Sequence, residues 1–370
     1  MMTWKLSHIL KGLRPLVVLP DCLIFYSSGA VYKVGHDLQQ PSFLCRLPAA
    51  GFAGQLANHV RLVDRVLRSS PSHAVVFDNA LFVSRRSEIW RFDLISGHLC
   101  LDFQIPDSRH SLSFVELPNT DGTKELVFGE YFYNPTRRPV RIWGRKSGAS
   151  KWLQRAEFGA GEIEHVHAVS FVNGQVYLLT GDFGEAAGIW SSDTEFSILR
   201  PLARGKQAFR AAWMESLNDR VFMATDTQSE SNCLYEFRKE NGANVSLQPL
   251  TGLVGSSIYA GRGLNEIFFS TTVECGEPTG SFFRDLLDTR PGSGIQSSSS
   301  FLMSIDEQGL VSELYSAEKD AWPFRLARFG TFTFPSGTMP PDTIYVYGVA
   351  LKDVDGRCLV FRRSKQDASS

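Results

Sequence analysis

The chain has 370 residues, 43% apolar and 21% charged, and its 38 Lys and Arg against 39 Asp and Glu leave a formal net charge of −1. Such a composition suits a globular protein with a substantial core. It gives no global field that would draw the chain to nucleic acid or to an anionic membrane, so neither is an expected partner. No run of eighteen apolar residues occurs, and no transmembrane helix is expected.

The N-terminal segment 1–20 is apolar only in pieces, broken by His8, Lys11 and Arg14, and no small-residue cleavage site follows it. It makes a poor secretory signal, and the expected compartment is cytoplasmic. The six cysteines (Cys22, Cys45, Cys100, Cys233, Cys275 and Cys358) are scattered without a C-x-x-C pair. They read as reduced thiols rather than as a disulfide framework or a zinc site.

From Arg14 onward the same unit of sequence recurs seven times, at 14–48, 73–106, 110–158, 167–202, 209–250, 256–316 and 324–363. Each copy opens with a polar or basic residue and a short run of β-branched and aromatic residues. A tight turn, a second strand, a polar loop and a third strand follow, with a degenerate fourth strand behind them. The spacing averages about fifty residues, within the range of four-stranded propeller blades. The expected fold is all-β, a seven-bladed β-propeller, with six or eight blades as alternatives. Residues 1–363 are expected to form one domain.

Turn chemistry agrees. Asp78-Asn79, Asn173-Gly174 and Asn218-Asp219 stand between first and second strands, where hairpins need residues tolerant of positive φ. Ser96-Gly97, Ser147-Gly148, Asn241-Gly242 and Gln308-Gly309 end third strands. Segment 51–70 is the one helix candidate, with Leu56, Val60, Val63 and Leu67 on one face; a short helix or an irregular interblade strand both fit. The insertion 275–300, rich in Gly, Ser and Pro, reads as a lid, a binding loop or disorder. Residues 364–370 read as a disordered tail. The N-terminal segment could supply the last blade's closing strand and so remove a free sheet edge.

In a propeller, residues at the start of each innermost strand and just after the next strand lie at one face. This places Arg14, His73, His110, His165, His167, Arg210, Tyr259 and Arg325 beside Arg85, Glu130, Tyr131, Asp182 and Asp226. Four of the eight histidines would gather there. Histidines near neutral pH, arginines for an anion and tyrosine as proton donor suit proton abstraction beside a carboxylate. A hydrolase would need two carboxylates at a set separation, for which Glu130 with Asp182 or Asp226 is available. His165 and His167 alternate on a strand and share a face, which leaves a divalent metal open, although two histidines do not make a site. Trp90, Trp143 and Trp190 occupy equivalent third-strand positions and read as repeat core.

The turns at 143–152 (WGRKSGASKW) and 190–197 (WSSDTEFS) resemble decayed Asp-boxes. The segments 129–143, 164–171, 180–190, 209–213 and 224–227 resemble a group of bacterial and archaeal propellers of the sialidase-like, BNR-repeat kind. The resemblance spans roughly 110 to 350 and implies a carbohydrate-active propeller. It departs from sialidases, whose arginine triad, Tyr–Glu pair and Asp acid have no residue-by-residue match here, although Arg85, Arg210 and Arg325 are nominated. Seven copies also differ from the six sialidase blades. Seven-bladed lyases of acidic polysaccharides, which use His and Tyr, are the nearer functional analogy.

The expectation is therefore a lyase or glycosidase acting on a uronate-type or otherwise anionic glycan. His165 or His167 would be the base and Tyr131 or Tyr133 the acid, with Glu130 and Asp182 beside them. Arg85 and Arg210 would hold the carboxylate, and His73, His110, Arg138, Asp226, Tyr259 and Arg325 would line the binding site. A non-catalytic propeller binding a glycan or a protein, or a cytosolic enzyme of small-molecule biosynthesis, are the competing expectations.

Overall fold

The computed structural model describes residues 2–49, 51–240, 245–277 and 279–365. Seven antiparallel sheets succeed one another along the chain and give a seven-bladed β-propeller. Blade 1 runs Arg14–Val18, Cys22–Ser27, Ala30–Gly35 and Ser42–Arg46. Blade 4 runs His165–Val172, Gln175–Gly181, Gly188–Ser192 and Arg200–Arg204. In blade 3 the innermost strand is broken into His110–Ser111 and Val115–Pro118, which gives that sheet five strands. In blade 7 the chain closes on itself, because Met2–Lys11 pairs antiparallel with Arg357–Lys365. This is the N-terminal closure expected from sequence, and it covers the last blade's edge. Ser364 and Lys365, assigned to a tail from sequence, belong to this strand, while 366–370 lie outside the described residues.

The repeat has a structural signature that its sequence states only faintly. In six blades the pairing of third and fourth strands slips by one residue after a buried aliphatic residue. The pairs are Val31-Tyr32, Ile89-Trp90, Ile142-Trp143, Ile189-Trp190, Leu234-Tyr235 and Leu302-Met303. The aliphatic member of every pair is 0% exposed. Such a bulge sharpens strand twist while keeping one large side chain in the core. The three tryptophans thus sit where the repeat expects them, with Trp190 buried at 3% exposure. The hairpin turns also follow the sequence: Asp78, Asn79, Asn173, Gly174 and Asn218 all take positive φ. Asn241-Gly242 lies outside the described residues.

By proximity the chain divides into two compact units, 70–258 and 1–69 with 259–370. The first holds blades 2 to 5, and its core includes Ile142, Phe158, Leu178 and Trp190. The second holds blades 1 and 7 with most of blade 6, around Leu23, Phe268, Phe332, Ile344 and Phe361. The helical segment near 51–70 is two short helices, Gly51–Ala57 and Arg61–Leu67. The insertion in blade 6 carries a short helix, Phe282–Leu287, and a bridge between Cys275 and Pro291. All six cysteines carry free thiols. No helix among the described residues is long and apolar enough to cross a membrane.

Candidate functional site

The site grows from the first hairpin of blade 4. His165 pairs with Gly181 and Val166 with Thr180, and pairing resumes only at Ala168 with Leu179. His167 is therefore the extra residue of a bulge, a device that re-aims a side chain. The two imidazoles end up side by side, with ring centres 4.9 Å apart and planes inclined by 28°. Room for this comes from Gly181, where a Cβ would lie 2.4 Å from the His167 ring. Asp182 follows directly and turns its carboxylate onto both rings.

The hydrogen-bond pattern at these rings is unusual. His165 Nδ1 donates to the carbonyl of Phe132 at 3.0 Å, and His167 Nδ1 donates to that of Ala211 at 3.1 Å. A carbonyl can only accept, so each Nδ1 carries hydrogen and each neutral ring presents a bare Nε2. Those two Nε2 atoms face each other at 2.9 Å. Asp182 Oδ1 joins them at 3.2 Å from His165 and 3.1 Å from His167. With both rings neutral the two Nε2 lone pairs oppose each other beside the carboxylate, and a proton or a cation taken up there relieves the repulsion.

Two further groups complete the cluster. Arg210 Nη2 lies 3.0 Å from Asp182 Oδ1 and 4.0 Å from Asp226 Oδ2, while its Nη1 donates to Gln228 Oε1 at 2.9 Å. Asp226 Oδ2 stands 3.7 Å from His167 Nδ1, and Asp226 Oδ1 is buried without a hydrogen-bond partner among the described residues. Burial favours the neutral form of Asp182. A proton taken up at His165 or His167, with its charge and its hydrogen bond to the carboxylate, acts together with the charge of Arg210 to outweigh it and hold the carboxyl well below its usual range. Gln207 Nε2 fixes the Asp182 carbonyl at 2.8 Å. The Tyr131 ring packs 4.3 Å from that of His165. The carboxylate of Asp182 keeps 23% of its side-chain surface exposed, so the cluster opens to solvent.

Among the residues nominated from sequence, His165, His167, Asp182, Arg210, Asp226 and Tyr131 come together. Of the others, His110 pairs with Tyr131 across the blade-3 sheet, and Glu130, Arg85, His73, Arg138 and Arg325 are held by partners of their own. Glu130 is fully buried and bound by Arg109 Nη1, the Arg141 backbone N–H at 2.9 Å and Trp143 Nε1 at 2.9 Å, a fastener inside blade 3. Sequence set it beside the catalytic pair; here its oxygens are taken up by Arg109, Arg141 and Trp143. Tyr133 lies beyond the strand end, 82% exposed. Arg85 pairs with Glu88 at 3.3 Å, and His73 packs on the Phe114 ring. His110 is exposed, and Arg138 lies over the Phe132 ring.

Tyr259 and Arg325 belong to the other unit. Tyr259 sits inside the strand Ser256–Arg262 rather than at its start. Arg325 is not a strand start either, because it lies in the helical turn Phe324–Ala327 and donates to the Gly276 carbonyl, while the strand begins at Thr331. Sequence reasoning missed Gly181, Gln207 and Gln228. Only Gly181 left a trace, as the small residue ahead of Asp182 at a strand end.

His165, His167 and Asp182 each offer one ligand atom, and the three atoms lie within 4.8 Å of one another. Two imidazoles and a carboxylate, the rings oriented by backbone carbonyls behind them, are a donor set that fits a divalent cation.

No family model matches the chain, and no curated protein does. Solved structures do. An oligogalacturonate lyase in complex with manganese aligns over 99% of this chain and 91% of its own, with a TM-score of 0.56 at 10% identity. An oligogalacturonate lyase from Vibrio parahaemolyticus aligns over 100% and 98%, with a TM-score of 0.58 at 9% identity. The AfRom2 CNH domain aligns over 99% and 100%, with a TM-score of 0.50 at 7% identity. None of these likenesses carries the sialidase or Asp-box reading. At such identities they establish what this chain is similar to in architecture, a seven-bladed propeller, and leave its chemistry to the site.

Proposed function

We propose that the protein is a carbohydrate-active lyase, cleaving a uronate-type glycan by β-elimination at the His165–His167–Asp182–Arg210 cluster. One observation carries the reading. Two imidazole Nε2 atoms face each other at 2.9 Å beside the Asp182 carboxylate, which an arginine suited to a carboxylate also borders. In β-elimination the base removes the proton next to the sugar carboxylate, a double bond forms, and the bond to the leaving oxygen breaks. The pair of bare Nε2 atoms would accept that proton and share it across the gap between them. Asp182, held ionised, would stabilise the resulting imidazolium. Arg210 would pair with the substrate carboxylate, and Tyr131 would give a proton to the leaving oxygen. Oligogalacturonate lyases of similar fold add weight to this substrate class.

Hydrolysis is less well supported. It needs one carboxyl group protonated near neutral pH, whereas Asp182 is held ionised and Glu130 is bound by Arg109. The donor set supports a second role for the same atoms. A divalent cation held by His165, His167 and Asp182 would supply Lewis-acid charge for a substrate carboxylate.

The test is incubation with uronate oligosaccharides while absorbance of the unsaturated product is followed, before and after dialysis against a chelator. Turnover that survives chelation supports the histidine pair as base. Turnover lost on chelation and restored by manganese assigns the pair as ligands. Glycan binding without turnover in the presence of manganese would instead favour a non-catalytic propeller.

A further inference from the structure

The loops that follow the second strands of blades 3 and 4 meet beside the histidine cluster. In blade 3 the loop runs from Phe132 to Pro139, between the strands Lys124–Tyr131 and Val140–Lys146. At its start the Phe132 carbonyl holds His165 Nδ1. Asn134, 2% exposed, fastens the turn that follows. Its Oδ1 accepts the Arg138 backbone N–H at 2.9 Å, and its Nδ2 donates to the carbonyls of Arg138 at 2.9 Å and Glu164 at 2.8 Å. The Arg137 backbone is held as well. Its N–H donates to the Asn134 carbonyl at 3.0 Å, and its carbonyl accepts from the Gly161 N–H at 2.8 Å. A backbone fixed in this way presents its side chain with little ordering left to do on binding.

That side chain reaches the neighbouring blade. Arg137 Nη2 donates to the Phe183 carbonyl at 3.1 Å and stands 3.9 Å from Glu164 Oε1, beyond hydrogen-bond reach. Among the described residues its Nε and Nη1 have no hydrogen-bond partner, and 29% of the side chain is exposed. Phe183 follows Asp182 directly, and the Arg210 guanidinium lies 5.4 Å from the centre of its half-buried ring. One aromatic residue thus touches two arginines, Arg210 through its ring and Arg137 through its carbonyl. Arg210 belongs to the histidine cluster through Asp182, and Arg137 comes to the same turn from blade 3.

We propose that Arg137 is a specificity-determining residue, holding the carboxylate of the sugar next to the one bound at Arg210, with Phe183 as the apolar floor between the two charges. The proposal rests on the elimination reading for its ligand, a uronate-type glycan. Such a chain bears a carboxylate on every sugar, so a second guanidinium near the first matches a chain and not a single unit. Phe183 takes one of the Arg137 N–H donors, and the others remain in the planar fork that fits a carboxylate. An aromatic wall with a few placed polar groups is the usual lining of a small-ligand site.

Calorimetric titration with galacturonate and with trigalacturonate tests it, on His167→Ala so that the longer sugar is not cleaved. The trimer carries further carboxylates beside the first, and the single sugar carries none. Trigalacturonate is expected to bind tighter by about tenfold or more, the usual worth of a charge-assisted hydrogen bond. Arg137→Gln in that background should cut the preference to about threefold or less, and Arg137→Lys should keep more of it. Arg200→Gln removes an exposed arginine from the outer strand of blade 4 and should leave the preference unchanged. Equal loss of affinity for both sugars in Arg137→Gln would make Arg137 a strut for the Phe183 turn and overturn the proposal. A preference that survives Arg137→Gln, one lost equally in Arg200→Gln, or no binding of trigalacturonate would also overturn it. Turnover of trigalacturonate by the wild type tests the elimination reading separately. Turnover without the length preference keeps that reading and overturns the subsite, whereas the preference without turnover keeps the subsite within a propeller that only binds.

Discussion

The two units each hold a cluster of buried charge, and the clusters are built on opposite logic. Around Arg61 and Arg65 cations and carboxylates alternate, and Asp64, Asp320 and Asp355 each meet a cation. Around His165 and His167 the acceptors face one another. The first pattern explains itself as a fastener holding a short helix to its blade. The second sets two imidazole lone pairs against each other, and its sense lies in what it can receive. Buried charge by itself therefore does not mark a functional site; the direction in which lone pairs point does.

The contrast can be broken most sharply at His167. His167→Ala is expected to lower kcat/KM on uronate oligosaccharides by about a hundredfold or more, the usual range for loss of a general base. Its melting temperature should stay near that of the wild type. Arg65→Ala should do the reverse, costing about 3–5 kcal/mol in denaturant unfolding because it strands buried carboxylates, with turnover per folded molecule unchanged.

Gly181→Ala tests whether packing or chemistry dominates. Its Cβ would lie 2.4 Å from the His167 ring, so the ring must move. Folding should suffer by about 1–3 kcal/mol, as overpacking does, while turnover falls nearly as far as in His167→Ala. Full activity in this variant would mean that the imidazole position is unimportant.

Asp320→Asn sharpens the comparison through pH. Burial would raise the Asp320 carboxyl, but hydrogen bonds from Arg65 and Lys319 and the charges of both hold it below its usual value. A carboxyl lowered on folding adds stability above its unfolded pKa and loses it as pH falls through the folded one. At neutral pH the variant should be weaker than wild type by about 2 kcal/mol, and the two unfolding curves should converge in acid. A gap that stays constant down to low pH would count against the ion pair. The smallest effect belongs to Tyr133→Phe, at a side chain 82% exposed, where unchanged turnover is expected.

How legible this was in sequence differed between fold and site. The propeller could be read because each hairpin states its turn locally, as Asp78-Asn79 and Asn173-Gly174 do, and because strand patterns repeat at a regular interval. The closing strand was legible for the same reason, since an unpaired edge demanded a partner. The histidine cluster was legible in membership and not in arrangement. Alternation put His165 and His167 on one face, but the bulge that turns their Nε2 atoms together depends on pairing with Gly181 and Thr180. Glu130 and Arg325 were misread because their partners, Arg109 and the Gly276 carbonyl, are set by tertiary structure alone.

The account rests most heavily on which nitrogen of each histidine carries hydrogen. Nitrogen NMR of protein labelled in its histidine side chains, recorded near neutral pH with and without magnesium or zinc, reads this directly. The expected result is hydrogen on Nδ1 of both His165 and His167, with their Nε2 signals either sharing a single proton or shifting together when the cation is added. Two neutral rings with hydrogen on Nε2 and bare Nδ1, unmoved by the cation, would contradict it.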